Sequence, residues 1–338
     1  MQMYPKDLTA SSWTMNGSFK PACPATSLAC WPPFREHAPG CRGISRRTRL
    51  SSTRADSETQ PAPVVIPQRL NNTPMLRDHR RFFYDDACAA VKKAIQGKER
   101  LMSVKMTIPE TNPEMDVYRI GTVLELVRDM ATDLVSDGAR VKVCVQQALG
   151  QGVFQGLPLS LSGVRRIMDN MDWGDALDFV SFGHVNPDQL DDADFYILVA
   201  PQNVVGSPII HNLTKMAEAA LQQGKTLILF NPLLRDVASP DGVMGVRGRK
   251  ERMAFAASFT AAYHFRLLYA SSATMYPIRG ALRHVYGGPW DVFQRVDVGR
   301  REEEYQLIGS FDEEPDGSKL TPLFSGQRQG VSKPWWQL

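Results

Sequence analysis

Cysteine is scarce in this chain and poorly placed for covalent chemistry. Of the five cysteines, Cys23, Cys30 and Cys41 fall in the first 55 residues, and only Cys88 and Cys144 lie beyond them. Two distant thiols without Cys-x-x-Cys spacing provide neither a disulfide framework nor a zinc site, and each reads as a small buried apolar residue. Long apolar runs are missing as well. Nothing approaches the ~18 consecutive apolar residues of a membrane-spanning helix, so any membrane contact is expected to be peripheral. The motifs of common catalysts are also lacking. His79, His184, His211, His264 and His284 show no i, i+4 pairing around a glutamate, and there is no G-x-S-x-G elbow. The acidic run with Asp188, Asp191, Asp192 and Asp194 lacks the glycine and bidentate glutamate of a calcium loop and reads as a hydrated turn. No catalytic set, metal or cofactor is predicted.

Acidic residues are what the first 55 positions lack. Lys6, Lys20, Arg35, Arg42, Arg46, Arg47, Arg49 and Arg54 face only Asp7 and Glu36 there, leaving 31 basic and 34 acidic residues downstream. The overall charge of +3 therefore belongs to this segment, and the body, at −3, has no global attraction for nucleic acid. Ser-, Thr-, Arg- and Pro-rich and without periodicity, residues 1–55 have the composition of an organelle transit peptide, the alternative being a disordered basic tail. Pro5, Asp7 and Pro21 interrupt a basic amphipathic helix and favour a plastid address, with cleavage expected near Arg54 to Ser57. Residues 56–76 read as a disordered linker, 77–325 as one α/β domain, and 326–338 as a tail.

Along the body, Asp85 to Gln96 carries a helical stripe stopped by Gly97, and Leu101 to Met106 alternates apolar with polar residues as a strand. A helix is predicted over Val117 to Val135, a strand over Val141 to Val145, a helix over Leu161 to Asn170 and a strand over Phe179 to Phe182. Phe195 to Pro201 and Lys225 to Phe230 are unbroken apolar strands of the kind covered on both faces, with a helix from Ile209 to Gln222 between them. These two strands should lie side by side and parallel in the middle of the sheet. A further helix is predicted over Arg249 to Tyr263, then shorter strands beginning with HFRLLYA, RGALRHVY, WDVFQRV and YQLIGSF. The fold class is α/β: a doubly wound, mainly parallel sheet with helices on both faces and antiparallel additions in the C-terminal third.

Ligands of open parallel sheets bind beyond the carboxyl ends of the strands. The loops after the two apolar strands make a candidate lip of Pro201, Asn203, Asn231, Arg235 and Asp236, although Ala-Pro and Asn-Pro are also ordinary strand stops. Downstream, GVMGVRGRKER clusters Arg247, Arg249, Lys250 and Arg252 with three glycines before a helix. It is a patch for an anion or an acidic partner, or else a solvated loop; its spacing fits no nucleotide-binding motif. Trp335 and Trp336, in the tail, are suited to a partner groove or a membrane surface, or to folding back on their own domain.

Several blocks taken together resemble a known family: DDACAAVKKAIQGKERL leading to VKMTIPE, DADFYILVAP, GKTLILFNPLLRD, RMAFAASFTAAYHFRLL and RGALRHVYGGPWDVF. In this order and spacing they are similar to the plastid and cyanobacterial domain of unknown function 1995, over roughly Met75 to Phe324. Gly287-Gly288 and the WWQL ending are places where the chain differs from the family pattern. The resemblance implies a chloroplast protein of the stroma or the stromal face of the thylakoid. It implies a partner that is a photosystem subunit or assembly factor, and a role assisting photosystem assembly, photosystem II above all, by protein contacts rather than catalysis. The same domain also follows a chloroplast adenylate kinase, so the alternative is an enzyme or sensor of the stroma that binds a nucleotide or another phosphate ligand.

Overall fold

The computed structural model describes residues 64–70, 74–113, 115–146, 161–202, 209–234, 249–270, 277–298 and 303–325. In chain order the elements are helix α1 (Arg77–Gln96), strand β1 (Leu101–Thr107), α2 (Ile120–Ser136), β2 (Val141–Val145), α3 (Leu161–Asp169), β3 (Val180–His184) and β4 (Phe195–Val199). There follow α4 (Ile210–Gln222), β5 (Thr226–Phe230), α5 (Arg249–Ala257), β6 (Thr260–Tyr269), β7 (Ile278–Val285), β8 (Trp290–Asp297), β9 (Glu303–Phe311) and α6 (Gly317–Phe324). All described strands join one nine-stranded sheet in the order β3-β2-β4-β5-β1-β6-β7-β8-β9. Strands β3 to β6 in that row pair in parallel, while β7, β8 and β9 extend it antiparallel.

The expected central pair is present. Strands β4 and β5 lie in parallel register from Phe195↔Thr226 to Val199↔Phe230. Their side chains serve two cores because successive residues of a strand point to opposite faces. Ile197, Val199, Ile228 and Phe230 meet the stripe of α1 and α2 that includes Phe83, Ala87, Leu124 and Val127. Tyr196, Leu198, Leu227 and Leu229 pack against Leu213, Met216 and Ala220 of α4, with Phe259 beside them. A third cluster joins Leu282, Trp290 and Val292 to Leu320, Leu323 and Phe324 of α6.

Two sequence expectations change in the structure. The helix expected from Arg249 to Tyr263 ends at Ala257, and Thr260 to Tyr263 open β6 instead. Ala-rich sequence favours helix locally, but β6 is flanked on both sides, by β1 in parallel and by β7 antiparallel, and those ladders outweigh a propensity of a few tenths of a kcal/mol, about 0.5 per residue. The second concerns the stretch read as a linker, part of which is built into the core. Ile66, Leu70 and Met75 are buried, and the backbone N–H groups of Arg69 and Met75 donate to the carboxylates of Glu303 and Glu110. Composition registered the prolines and asparagines there, but not the distant carboxylates that receive the chain.

One glycine is dictated by close approach. A Cβ on Gly280 of β7 would sit 1.9 Å from the carbonyl oxygen of Phe293 on β8 and 3.0 Å from the ring of Phe324. Backbone cannot yield as a flexible side chain would. Gly280→Ala is expected to lower stability by about 3 kcal/mol, the upper part of the overpacking range, read as a lower urea midpoint at unchanged m-value.

Candidate functional site

The site begins where β4 and β5 stop. Ala200 and Asn231, the residues immediately after the two strands, both have left-handed backbone, with φ of 41° and 43°. This conformation costs a non-glycine residue roughly 1–2 kcal/mol, and asparagine bears it best. Ala200 N–H still donates to the Phe230 carbonyl at 2.7 Å, and Asn231 N–H to the Val104 carbonyl at 2.8 Å. After the kink the two chains meet once more, in a parallel bridge between Gln202 and Leu233, with Leu233 N–H donating to the Pro201 carbonyl at 2.9 Å. The Gln146 side chain, just past β2, accepts from Gln202 N–H at 3.0 Å.

Asn231 is the hinge of this arrangement. Its Oδ1 accepts from Met106 N–H at 2.6 Å and its Nδ2 donates to the Met106 carbonyl at 2.9 Å. The carboxamide thus takes the place that a further residue of β5 would fill against β1. Both of its polar atoms are occupied by backbone, so its role here is positional. Asn231→Asp would turn a carboxylate oxygen toward the Met106 carbonyl and lose the donor. A loss of about 2–3 kcal/mol in urea denaturation is expected, from one unsatisfied carbonyl and one repulsive contact.

The chain leaves β1 toward α2 on one face of the sheet, and leaves β4 and β5 toward α4 and α5 on the other. A crevice opens at such a point. It is a cavity of about 160 Å³ lined by Lys105, Thr107, Asn112, Tyr118, Gln202 and Asn231 among others. Burial pushes the Tyr118 phenol up, keeping it a neutral donor. Much of the remaining polarity is also committed locally: Thr111 Oγ1 donates to the Met106 carbonyl at 2.6 Å. A second cavity, of about 340 Å³, adjoins the first and shares Lys105, Pro232 and Leu233 with it.

Of the residues proposed from sequence, Pro201 is buried at the start of the loop after β4, and Asn231 lines the crevice. Arg249 opens α5, Lys250 is exposed on it and Arg252 is half-buried. Asn203, Arg235, Asp236, Arg247, Trp335 and Trp336 lie outside the described residues. Sequence reasoning overlooked Lys105, Gln146, Tyr118 and Gln202. For Lys105 a signal existed, since its strand alternates where Phe195–Val199 is an unbroken apolar run.

Elsewhere, a polar cleft of about 470 Å³ between α1 and α2 is lined by Arg81, Asp85, Cys88, Arg128, Asp129 and Asp133. Its charges are largely matched internally, with Arg81 at 2.9 Å from Asp85 and 3.2 Å from Asp129, and Lys92 at 2.9 Å from Asp133. Burial, followed by the charges of Asp133, Asp129 and Asp85, pushes the Cys88 thiol up to about 12; burial does the same for Cys144. Both thiols are therefore protonated and poor nucleophiles at neutral pH. Among the described residues no group of three or more His, Cys, Asp or Glu side chains could hold a metal ion, and no helix is long and apolar enough to cross a membrane.

Fold and crevice together define an α/β protein with an open mixed sheet and a crevice at the ends of its central strands. The chain belongs to the family described as Domain of unknown function (DUF1995), whose model matches residues 78–321, from the first turn of α1 into α6.

Proposed function

We propose that the protein is a chloroplast auxiliary factor that assists photosystem assembly, photosystem II in the first place, by binding other proteins rather than by making or breaking bonds. The observation that carries this reading is membership of the family across residues 78–321, joined to a resemblance to its plant member, the third Low PSII Accumulation protein. The crevice is compatible with it: the Asn231, Gln146 and Thr111 side chains hold backbone in place, as a scaffold requires. In this proposal residues 1–55 are the transit peptide, and the mature protein works in the stroma or on the stromal face of the thylakoid. Its docking surfaces are the basic residues Arg247, Arg249, Lys250 and Arg252 and the aromatic pair Trp335 and Trp336. The tryptophan pair can also touch the membrane peripherally.

Crosslinking mass spectrometry on thylakoids carrying the tagged full-length protein tests the proposal. Photosystem subunits or assembly factors should be recovered, with crosslinks near Lys250. Recovery of neither class after crosslinking would remove the assembly role.

A further inference from the structure

Strand β1 is fifth in a row of nine, with β5 on one side and β6 on the other. A parallel strand in that position is normally apolar on both faces because helices cover both. Strands β4 and β5 obey: Ile197, Leu198, Ile228 and Leu229 are all buried. Strand β1 does not. Met102, Val104 and Met106 are buried on the α1/α2 side, while Ser103 and Lys105 on the other side are only half-buried. Helix α4 covers the sheet at β4 and β5, and α6 covers it at β7 and β8. Between them, over β1 and β6, lies the cavity of about 340 Å³.

A bulge sets what faces into it. Ser103 pairs with Ala261 and Val104 with Tyr263, leaving Ala262 as the extra residue. In a regular strand Ala261 and His264 would point to opposite faces; the insertion brings both to the Lys105 side, and both line the cavity. The register then runs straight across the sheet, Lys105↔His264↔His284↔Trp290. His284 is stacked on Trp290 at 4.4 Å with 10° between the rings, and His264 meets the same indole edge-on at 4.9 Å. Both nitrogens of His284 lie against backbone carbonyls, of Ala261 at 3.2 Å and Pro289 at 3.3 Å, so that ring holds the indole in place. Phe259, Leu229 and Leu234 supply apolar wall. Among the described lining residues the carboxylate is Glu314, which lies 3.9 Å from Arg266.

We propose that this cavity binds a small organic anion with a flat apolar body, an aryl carboxylate or aryl phosphate. Lys105 meets the charged group at the floor; Trp290 and Phe259 flank the ring. A lysine on the middle strand, an immobilised indole lining the same cavity from β8 and an opening about the size of the smallest ligand pockets form one concave site with a polar end and an apolar end. The described lining of this site contains none of the residues proposed above as partner surfaces. Either can fail without the other.

The test uses the full chain with phenyl phosphate and benzoate as probes, benzamide as the neutral control and inorganic phosphate as the bare anion, read by tryptophan fluorescence and isothermal titration. Saturable binding of one of the two aryl anions is expected, at least about tenfold tighter than benzamide and inorganic phosphate. Lys105→Met should weaken it by about tenfold or more. Ala257→Trp, at an exposed rim position on α5, should block it with the thermal midpoint unchanged, and serves if the lysine variant fails to fold. Three results overturn the proposal: no saturable signal with either aryl anion, benzamide binding equally well, or undiminished affinity in folded Lys105→Met or Ala257→Trp.

Discussion

Replacing Asp86 by alanine is expected to destabilise the fold by about 3–5 kcal/mol, the largest single loss foreseen for a charged residue here. Asp86 on α1 takes Arg283 of β7 in a two-pronged grip, Oδ2 accepting from Nε at 2.8 Å and Oδ1 from Nη2 at 2.6 Å. The side chains are only 17% and 11% exposed. Burial by itself would lower the Arg283 pKa, but the hydrogen bonds and charge of Asp86 reverse this and leave it raised. Tyr263, fully buried beside them, has its phenol pushed up by burial and then by the Asp86 charge. Removing the aspartate strands a guanidinium between helix and sheet, and that stranding, rather than the net worth of the pair, is the source of the cost. The double variant Asp86→Leu/Arg283→Met should accordingly recover most of the loss, since two apolar groups leave no buried charge unpaired. Urea denaturation of both single variants and the double variant checks this. An Asp86→Ala loss below about 1 kcal/mol, the level of an exposed pair, would show that solvent reaches the site.

Glu110→Ala should cost about 3 kcal/mol, corresponding to a thermal midpoint lower by about 10 °C. Glu110 is fully buried in the turn after β1. One carboxylate oxygen accepts from Met75 N–H at 2.5 Å, and the other from the Thr122 hydroxyl at 2.9 Å. It therefore ties the segment before α1 to the first turn of α2. Alanine leaves two buried donors without acceptors. Glutamine should recover part of the loss, because its carbonyl can still accept one of the two bonds. The alanine variant should also become sensitive to trypsin at Arg69 or Arg77, as Met75 loses its anchor. Equal tryptic resistance of wild type and Glu110→Ala would mean that the apolar contacts of Ile66 and Leu70 hold the segment unaided.

Much of the architecture was legible in the residues. The unbroken apolar runs of β4 and β5 announced strands covered on both sides, and the helical stripe of α4 between them announced a crossover; these are local periodicities, which survive without any knowledge of neighbours. The misreading at Thr260 to Tyr263 has the opposite origin. Two alanines there favour helix, and only pairing with β1 and β7 makes them strand. Asn231 shows both sides at once: its place at a strand end was evident, but the partner that defines its role, Met106, is 125 residues away.

By itself the sequence determined the fold class, the order of strands and helices, and the two-faced burial of the central pair, because each follows from side-chain periodicity within one segment. The tertiary structure alone decided that β1 lies between β5 and β6, that a bulge at Ala262 turns His264 toward Lys105, and that carboxylates of Glu110 and Glu303 receive the segment before α1. The place of β1 arises from hydrogen bonds to β5 and β6, each more than a hundred residues further along the chain, and nothing in a local pattern of apolar and polar residues encodes which of several compatible edges will pair.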